Sequence, residues 1–176
     1  MIARKLGLGV PYVALFSTDE TNSAASPSQS AAWAARDGDL SARAIGDEID
    51  AKVCLAGPCT QQRYQPVKNL KRAMATDWIS DFTNVRSCAY RVMMLRDGID
   101  VVADPAVVTL NREQLVELNR LVDQWWKEVT ALVEENWPAI ERVAEALQER
   151  LLINEGDLDV LIADRAALDA AMAAIS

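Results

Sequence analysis

The chain has 176 residues, of which 51% are hydrophobic and 25% are charged, so it can bury a core and is not disordered as a whole. It contains no histidine. That absence excludes a Ser-His-Asp triad, a Cys-His dyad and an HExxH zinc helix within this sequence. The net charge of −8 argues against nucleic acid as the main partner, because phosphate backbones attract clustered lysine and arginine.

The cysteines and the hydropathy pattern bear on the compartment. Cys54, Cys59 and Cys88 are odd in number and form no CxxC pair, which indicates free thiols in a reducing cytosol. We therefore predict a cytoplasmic protein. No run of 18 apolar residues occurs, so we expect no spanning helix and no membrane partner.

The first forty residues mix one apolar segment with small polar residues. Residues 1–8 read as the tail of a helix that ends at a glycine. The β-branched and aromatic run Val10–Phe16 predicts a short strand, and Pro11 favours an edge position for it. Residues 18–40 are rich in serine, threonine and alanine, which predicts a surface loop region.

The middle of the chain has helical periodicity. Ser41 is a candidate cap for a helix that Pro58 interrupts and Pro66 closes, with a continuation to about Tyr64. A further helix is predicted from Thr76 or Asp77 to Asp97-Gly98, because apolar residues recur there every three or four positions.

Three more helices are predicted in the last third. Asn111 is a candidate cap for a long helix, and Asn136-Trp137-Pro138 starts the next, since proline is tolerated in a first turn. The last helix starts near Gly156, and its alanine-rich end, 165–176, is expected to fray. Residues Ile99–Leu110 are predicted to be irregular. These elements predict a mainly α fold with a small N-terminal β element.

Four short strings carry a resemblance through their order and spacing. They are LAGPCTQQRY at Leu55–Tyr64, ATDW at Ala75–Trp78, AEALQER at Ala144–Arg150 and LINEGDL at Leu152–Leu158. Together they resemble the FtsH-type zinc metallopeptidase domain. The resemblance extends from the first residues to about Ile162, so we expect residues 1–176 to form a single peptidase-like domain, a helical metallopeptidase-like bundle.

The resemblance implies a function and a metal ligand. Domains of this family hydrolyse peptide bonds with a zinc-activated water, and Asp77 occupies the position of the third zinc ligand. Zinc would be the cofactor of a complete domain, whereas none is expected for this chain. The sequence has no Walker A motif, so the ATPase module of full-length FtsH-type proteases is absent from it.

The missing histidines also have an expected location. By the same resemblance, the family's HExxH helix would lie immediately upstream of Met1, and the nucleotides before the Met1 codon test this. Gln61 stands where the family usually has a glutamate. It keeps the length and the hydrogen bonding of that residue but loses the charge, so metal affinity is expected to be lower.

Each candidate residue has a structural alternative. For Asp77, or Thr76 before it, the alternative is a helix cap. Asp81 lies one turn after Asp77 and could join it as an acid–base or cation-binding pair, or belong to a solvated face. Trp125 fits the buried stripe of its helix, while Trp126 lies at the border of that stripe and could mark a partner surface.

Two classes of function follow. The first is a zinc peptidase, with the strand Val10–Phe16 aligning a peptide or protein substrate by β-augmentation. The second is a non-catalytic helical protein that binds or regulates a protein partner on the same scaffold. If the chain lacks a helix of the family, an apolar face around Leu55 and Phe82 should be exposed, and homo-oligomerisation would be one way to cover it.

Overall fold

A computed structural model describes residues 3, 6, 10, 12–17, 21–25, 39–99 and 109–163. The chain divides into two compact units. One comprises Met1, Ala3–Ser28 and Asn136–Ser176, and the other comprises Ile2 and Gln29–Glu135. A single peptidase-like domain over 1–176 stays a prediction.

The unit Gln29–Glu135 contains four helices in its described part. They are α1 (Leu40–Tyr64), α2 (Leu70–Ala75), α3 (Ile79–Arg96) and α4 (Arg112–Glu135). The start of α4 was predicted correctly. Asn111 Oδ1 accepts a hydrogen bond from the Gln114 amide at 2.9 Å, and Gln114 Oε1 accepts one from the Asn111 amide at 3.0 Å. This reciprocal capping box satisfies two backbone donors that a helix start leaves free.

Helix α1 differs from its prediction at two points. Its cap is Asp39, which accepts a hydrogen bond from the Ser41 amide at 2.8 Å, so Ser41 is not the cap. Pro58 does not interrupt the helix, which continues to the predicted end at Tyr64. A proline removes one backbone hydrogen bond of a helix and tends to bend its axis. Here Pro58 is buried, and so are Leu55 before it and Cys59 after it, so packing holds the helix on both sides of the proline.

Helices α1, α3 and α4 form the core of this unit. Ion pairs and hydrogen bonds place α1 antiparallel to α3, through Asp47 and Arg91, and parallel to α4, through Arg63 and Glu134. The buried face of α1 follows positions four residues apart, namely Asp47, Ala51, Leu55 and Cys59. Ile45, in the same helix, is exposed.

The expected exposed face is not found. Leu55 is 0% exposed and Phe82 is 7% exposed, so both lie in the core. The prediction of an uncovered apolar surface around these two residues was therefore wrong. Trp125 is fully buried, as predicted, and Trp126 is half-buried at the border of the same stripe.

The second unit contains a three-stranded antiparallel sheet and two helices. The strands are β1 (Tyr12–Ser17), β2 (Thr21–Ala25) and β3 (Leu152–Asn154), and the helices are α5 (Trp137–Arg150) and α6 (Glu155–Ile162). The sheet has the order β2-β1-β3. Strand β1 pairs with β2 from Val13 opposite Ala25 to Ser17 opposite Thr21, and with β3 from Tyr12 opposite Asn154.

The sheet corrects two expectations. Strand β1 covers most of the predicted strand Val10–Phe16, but it is central rather than at an edge. Strand β2 pairs with Val13–Ser17 on one side and β3 pairs with Tyr12–Ala14 on the other, so neither side is free over its whole length. Strand β2 lies inside residues 18–40, where a surface loop region was predicted. Small polar residues have low strand propensity, and pairing with β1 overrides that preference.

Helices α5 and α6 pack in one apolar cluster with the end of the sheet. Its buried members are Val10, Val143, Leu147, Ile153 and Leu158. Helix α5 starts at Trp137-Pro138, as predicted. Helix α6 starts one residue before Gly156, with Asn154 as its cap.

The mainly α fold is confirmed. In residues 39–99 and 109–163, no helix has both the length and the apolar composition that a bilayer-spanning segment needs. Three predictions lie outside the described residues, either wholly or in large part. They concern the helical tail 1–8, the irregular stretch Ile99–Leu110 and the fraying end 165–176.

Candidate functional site

Asp77 lies in the turn between α2 and α3 and is exposed. Its Oδ1 atom lies 3.0 Å from the Thr76 hydroxyl oxygen, which is also 3.0 Å from the carbonyl oxygen of Arg72. Neither Thr76 nor Asp77 caps α3, because the cap position belongs to Trp78, which makes no side-chain cap bond. The helix-cap alternative for Asp77 was therefore wrong.

Gln61 is brought next to this turn. Its Oε1 atom accepts a hydrogen bond of 2.7 Å from Nε1 of Trp78, the residue that follows Asp77. The two positions that the resemblance singles out, Gln61 and Asp77, thus belong to neighbouring segments. The amide of Gln61 holds the indole, which is only 3% exposed.

Trp78 is one of three aromatic side chains that contact one another. Its ring centroid lies 6.4 Å from that of Phe82 and 6.1 Å from that of Trp126, and the rings of Phe82 and Trp126 are 5.8 Å apart. These separations are in the range of favourable offset contacts between aromatic rings. The cluster joins α3 to α4 and fixes one face of Trp126.

A groove of about 540 Å³ runs between α1 and α3. We call it the polar groove, because charged, hydroxyl, amide and thiol groups from the two helices line it: Arg43, Asp47, Asp50, Cys54, Asn84, Ser87, Cys88 and Arg91. The spacing of these residues, three or four apart on each helix, places them on two facing surfaces.

An ion pair between a buried carboxylate and a part-buried guanidinium joins the two helices that line the polar groove. Asp47 is 4% exposed, and its Oδ1 atom accepts hydrogen bonds from Nε and Nη2 of Arg91 at 2.9 and 2.8 Å. Arg91 Nη2 also lies 3.2 Å from the sulfur of Cys88. The guanidinium group of Arg91 therefore makes its hydrogen bonds within the protein.

The thiols are poor nucleophiles. Burial raises the pKa of Cys54 to about 11, with a further contribution from the negative charges of Asp81 and Asp50. Burial raises the pKa of Cys88 to about 12, although the charge of Arg91 opposes this. Because the thiolate is the reactive form, the polar groove does not contain an activated cysteine.

The described residues do not fit a zinc site. The sequence has no histidine, and no group of three or more cysteine, aspartate or glutamate side chains in the described ranges could hold a metal ion. Asp81 is half-buried, and burial raises its pKa, whereas Asp77 is exposed. A catalytic zinc needs three protein ligands, so Asp77 alone does not supply one.

A second groove, of about 520 Å³, lies between the C-terminal part of α1 and α4. We call it the tryptophan groove, after the half-buried Trp126 in its wall. Its other lining residues are Cys59, Gln62, Arg63, Pro66, Thr130, Val133 and Glu134. Its volume falls in the range in which proteins bind small ligands and short peptide side chains.

The floor of the tryptophan groove is internally satisfied. The Cys59 thiol lies 3.9 Å from the carbonyl oxygen of Trp126, and the Thr130 hydroxyl donates to the Cys59 sulfur at 3.6 Å. Burial raises the pKa of Cys59 to about 11, and the hydrogen bond from Thr130 lowers it by less. Along one side, Arg63 Nε donates to Glu134 Oε2 at 2.9 Å. The floor is thus uncharged, while the rim is polar.

Lys52 joins α1 to α4. Its Nζ atom lies 2.7 Å from Glu48 and 2.7 Å from Glu128. Burial by itself lowers the pKa of Lys52, but the hydrogen bonds and charges of Glu128 and Glu48 outweigh this and raise it. The hydrogen bond from Lys52 lowers the pKa of Glu128. This is a structural clamp between the two helices.

Comparison of the chain with family models and with curated proteins found no match. The resemblance to the FtsH-type domain therefore rests on the four strings alone. Sequence reasoning identified Trp126 as a boundary residue but missed the tryptophan groove, because Pro66 and Thr130 reach the same place only through the packing of α1 on α4. It also missed the pairing of Asp47 with Arg91, since these residues are 44 positions apart.

Proposed function

We propose that this chain is a non-catalytic helical module that binds a protein partner, on a scaffold that resembles the FtsH-type peptidase domain. The observation that carries the proposal is the tryptophan groove, which Trp126 lines together with Pro66 and Val133. Tryptophan and arginine are the side chains that most often dominate binding energy at protein interfaces. The groove has one of each, Trp126 in its wall and Arg63 at its rim.

The groove is also preorganised. Trp126 is held from behind by Trp78 and Phe82, and Trp78 is held in turn by Gln61. A side chain that is fixed before binding loses little conformational entropy on complex formation. The neutral floor of Cys59 and Thr130 has no unpaired charge, so an apolar side chain can enter without stranding one.

The position of Gln61 supports a binding role over catalysis. A glutamate there would be available to orient a metal-bound imidazole, whereas the neutral amide of Gln61 is used to hold Trp78. Asp77 has Thr76 as its hydrogen-bond neighbour. No histidine of this sequence is available to join them.

Peptide display tests the proposal. Random peptides are selected against the full chain, and their affinities are measured by calorimetry for the chain and for Trp126→Ala and Pro66→Glu. Both substitutions should weaken binding by about tenfold or more, since an anchor worth about 1.4 kcal/mol corresponds to that factor. Trp137→Ala, a half-buried tryptophan in the other unit, is the matched control and should bind normally.

Pro66→Glu also separates lost binding from misfolding. Because Pro66 is exposed, its replacement removes no core contact and the variant should fold normally. Peptides that bind Trp126→Ala and Pro66→Glu as tightly as the unaltered chain would overturn the proposal.

One observation favours a second candidate, zinc-dependent peptide hydrolysis. Gln61 and the turn of Asp77, the two positions that the resemblance assigns to the zinc region, lie in neighbouring segments. Zinc analysis of the purified chain and a casein cleavage assay test it. We expect neither bound zinc nor cleavage from this chain. Zinc retained in equal molar amount, with cleavage that a chelator stops and Asp77→Asn abolishes, would favour the peptidase instead.

A further inference from the structure

The tryptophan groove is bordered by the most basic stretch of an acidic chain. Between Asp50 and Asp77 the sequence contains five lysine or arginine residues and no acidic residue, whereas the whole chain carries a net charge of −8. Two of the five have partners in the structure, Lys52 with Glu48 and Glu128, and Arg63 with Glu134. The other three are Lys68, Lys71 and Arg72.

These three cations are exposed, and they follow the groove residue Pro66 within six positions of the chain. Lys68 follows Pro66 by two residues, so their Cα atoms are separated by at most about 7 Å. Lys71 and Arg72 lie in the first turn of α2. No ion pair between their side chains and another described residue is present. We call Lys68, Lys71 and Arg72 the basic rim.

The combination selects one chemistry of partner. The groove offers an apolar wall and a neutral floor, which suit one apolar or aromatic side chain. The basic rim offers three charges on the segment that follows the groove residue Pro66, which suit carboxylates that flank this side chain. A nucleic acid would meet the opposing charge of the rest of the chain and find only a short cationic stretch.

We propose that the tryptophan groove binds an acidic peptide segment of a partner protein, whose apolar anchor side chain packs on Trp126 while its carboxylates contact the basic rim. This inference rests on the proposed function and specifies the partner. The acidic segment is attracted locally, although the chain as a whole is negative. Charge complementarity of this kind fixes which partner is accepted and raises the rate of association.

A matched pair of short synthetic peptides tests the inference. Both have a central tryptophan, which is flanked by glutamates in one and by glutamines in the other. Fluorescence anisotropy with the full chain should show the acidic peptide binding about tenfold more tightly at low salt. That advantage should largely disappear at about 1 M salt, where the Debye length is about 3 Å.

Charge reversal locates the contact. Lys68→Glu/Lys71→Glu should abolish the preference for the acidic peptide, whereas Arg86→Glu/Arg112→Glu changes the net charge equally at exposed positions outside the groove and should preserve it. Equal affinity for both peptides, with binding still lost in Pro66→Glu, would overturn the inference and leave the proposed function standing. Peptide binding that Trp126→Ala and Pro66→Glu both leave unchanged would overturn the proposed function itself.

Two other occupants are distinguished by the same variants. Vesicles of phosphatidylcholine and phosphatidylserine that bind the chain more tightly than the acidic peptide does, with loss in Lys68→Glu/Lys71→Glu, would overturn the inference in favour of an anionic membrane surface. A dimer in sedimentation equilibrium that this double substitution dissociates would overturn it in favour of a second copy of the chain.

Discussion

Gln61 Oε1 accepts a 2.7 Å hydrogen bond from Nε1 of Trp78 and so ties the last turns of α1 to the start of α3. This contact lies at the position where the resemblance to FtsH-type domains leads one to expect a carboxylate. It has a direct consequence for stability, because an indole donor that is buried needs an acceptor.

Gln61→Leu should destabilise the chain by about 1–3 kcal/mol, since it leaves the buried Trp78 donor without its acceptor. Gln61→Glu keeps an acceptor of the same length and should lie within about 1 kcal/mol of the unaltered chain. Urea unfolding followed by circular dichroism measures both. A Gln61→Leu chain as stable as the original would show that the bond contributes nothing.

Arg91→Ala should cost about 3 kcal/mol of unfolding free energy, because it leaves the Asp47 carboxylate buried without the guanidinium that holds it. Asp47→Ala combined with Arg91→Ala should recover part of this loss, since no buried charge is then left alone. A double-mutant cycle by urea unfolding measures the coupling. Additive single effects would contradict the pairing.

Alkylation of the cysteines should be slow in the folded chain. The raised pKa values, about 11 for Cys54 and Cys59 and about 12 for Cys88, leave at most about one thiolate per thousand molecules at pH 8. Mass spectrometry after iodoacetamide treatment should show little modification at pH 8, and rapid modification of all three in urea. Fast labelling of the folded chain at pH 8 would contradict the burial of these thiols.

The clamp formed by Lys52 should give a stability difference that depends on pH. The pKa of Lys52 is raised by folding, so its contribution is complete below about 10.5 and is lost as the pH rises through the folded value. The pKa of Glu128 is lowered, so its contribution is present above about 4.5 and is lost as the pH falls through the folded value.

Lys52→Met should therefore be less stable than the unaltered chain at pH 7, and the gap should narrow at both ends of this window. Urea midpoints measured from pH 3 to pH 11 test this. Arg112→Met, at an exposed position, is the control and should show no such window. A gap that stays constant with pH would mean that Lys52 contributes by packing rather than by charge.

The helix starts and the burial pattern that were predicted correctly depend on local signals in the sequence. Asn111 followed by Gln114 defines a capping box, and Asn136-Trp137-Pro138 marks a helix start, because both act within one turn of backbone. Trp125 is buried while its neighbour Trp126 is half-buried, and this difference also follows from helical geometry alone. Such features need no knowledge of distant residues.

Two of the errors concern long-range contacts. Pro11 suggested an edge strand, but β3 comes from residues 152–154 and pairs with β1, which makes it central. The site was affected in the same way: the sequence pointed to Asp77, whereas the groove beside Trp126 arises where α1, α4 and the turn at Pro66 meet. No spacing rule connects positions so far apart in the chain.

The end of α6 is held by a side chain from another helix. Arg142 in α5 donates from Nε to the carbonyl oxygen of Leu161 at 2.9 Å, and its Nη2 atom lies 3.5 Å from that of Ala163. Helix ends are commonly satisfied by a glycine or another capping residue that follows them. Here a side chain of α5 contacts the carbonyl groups of Leu161 and Ala163, so Arg142→Lys would lose the two-point geometry of the guanidinium and weaken the hold on this helix end.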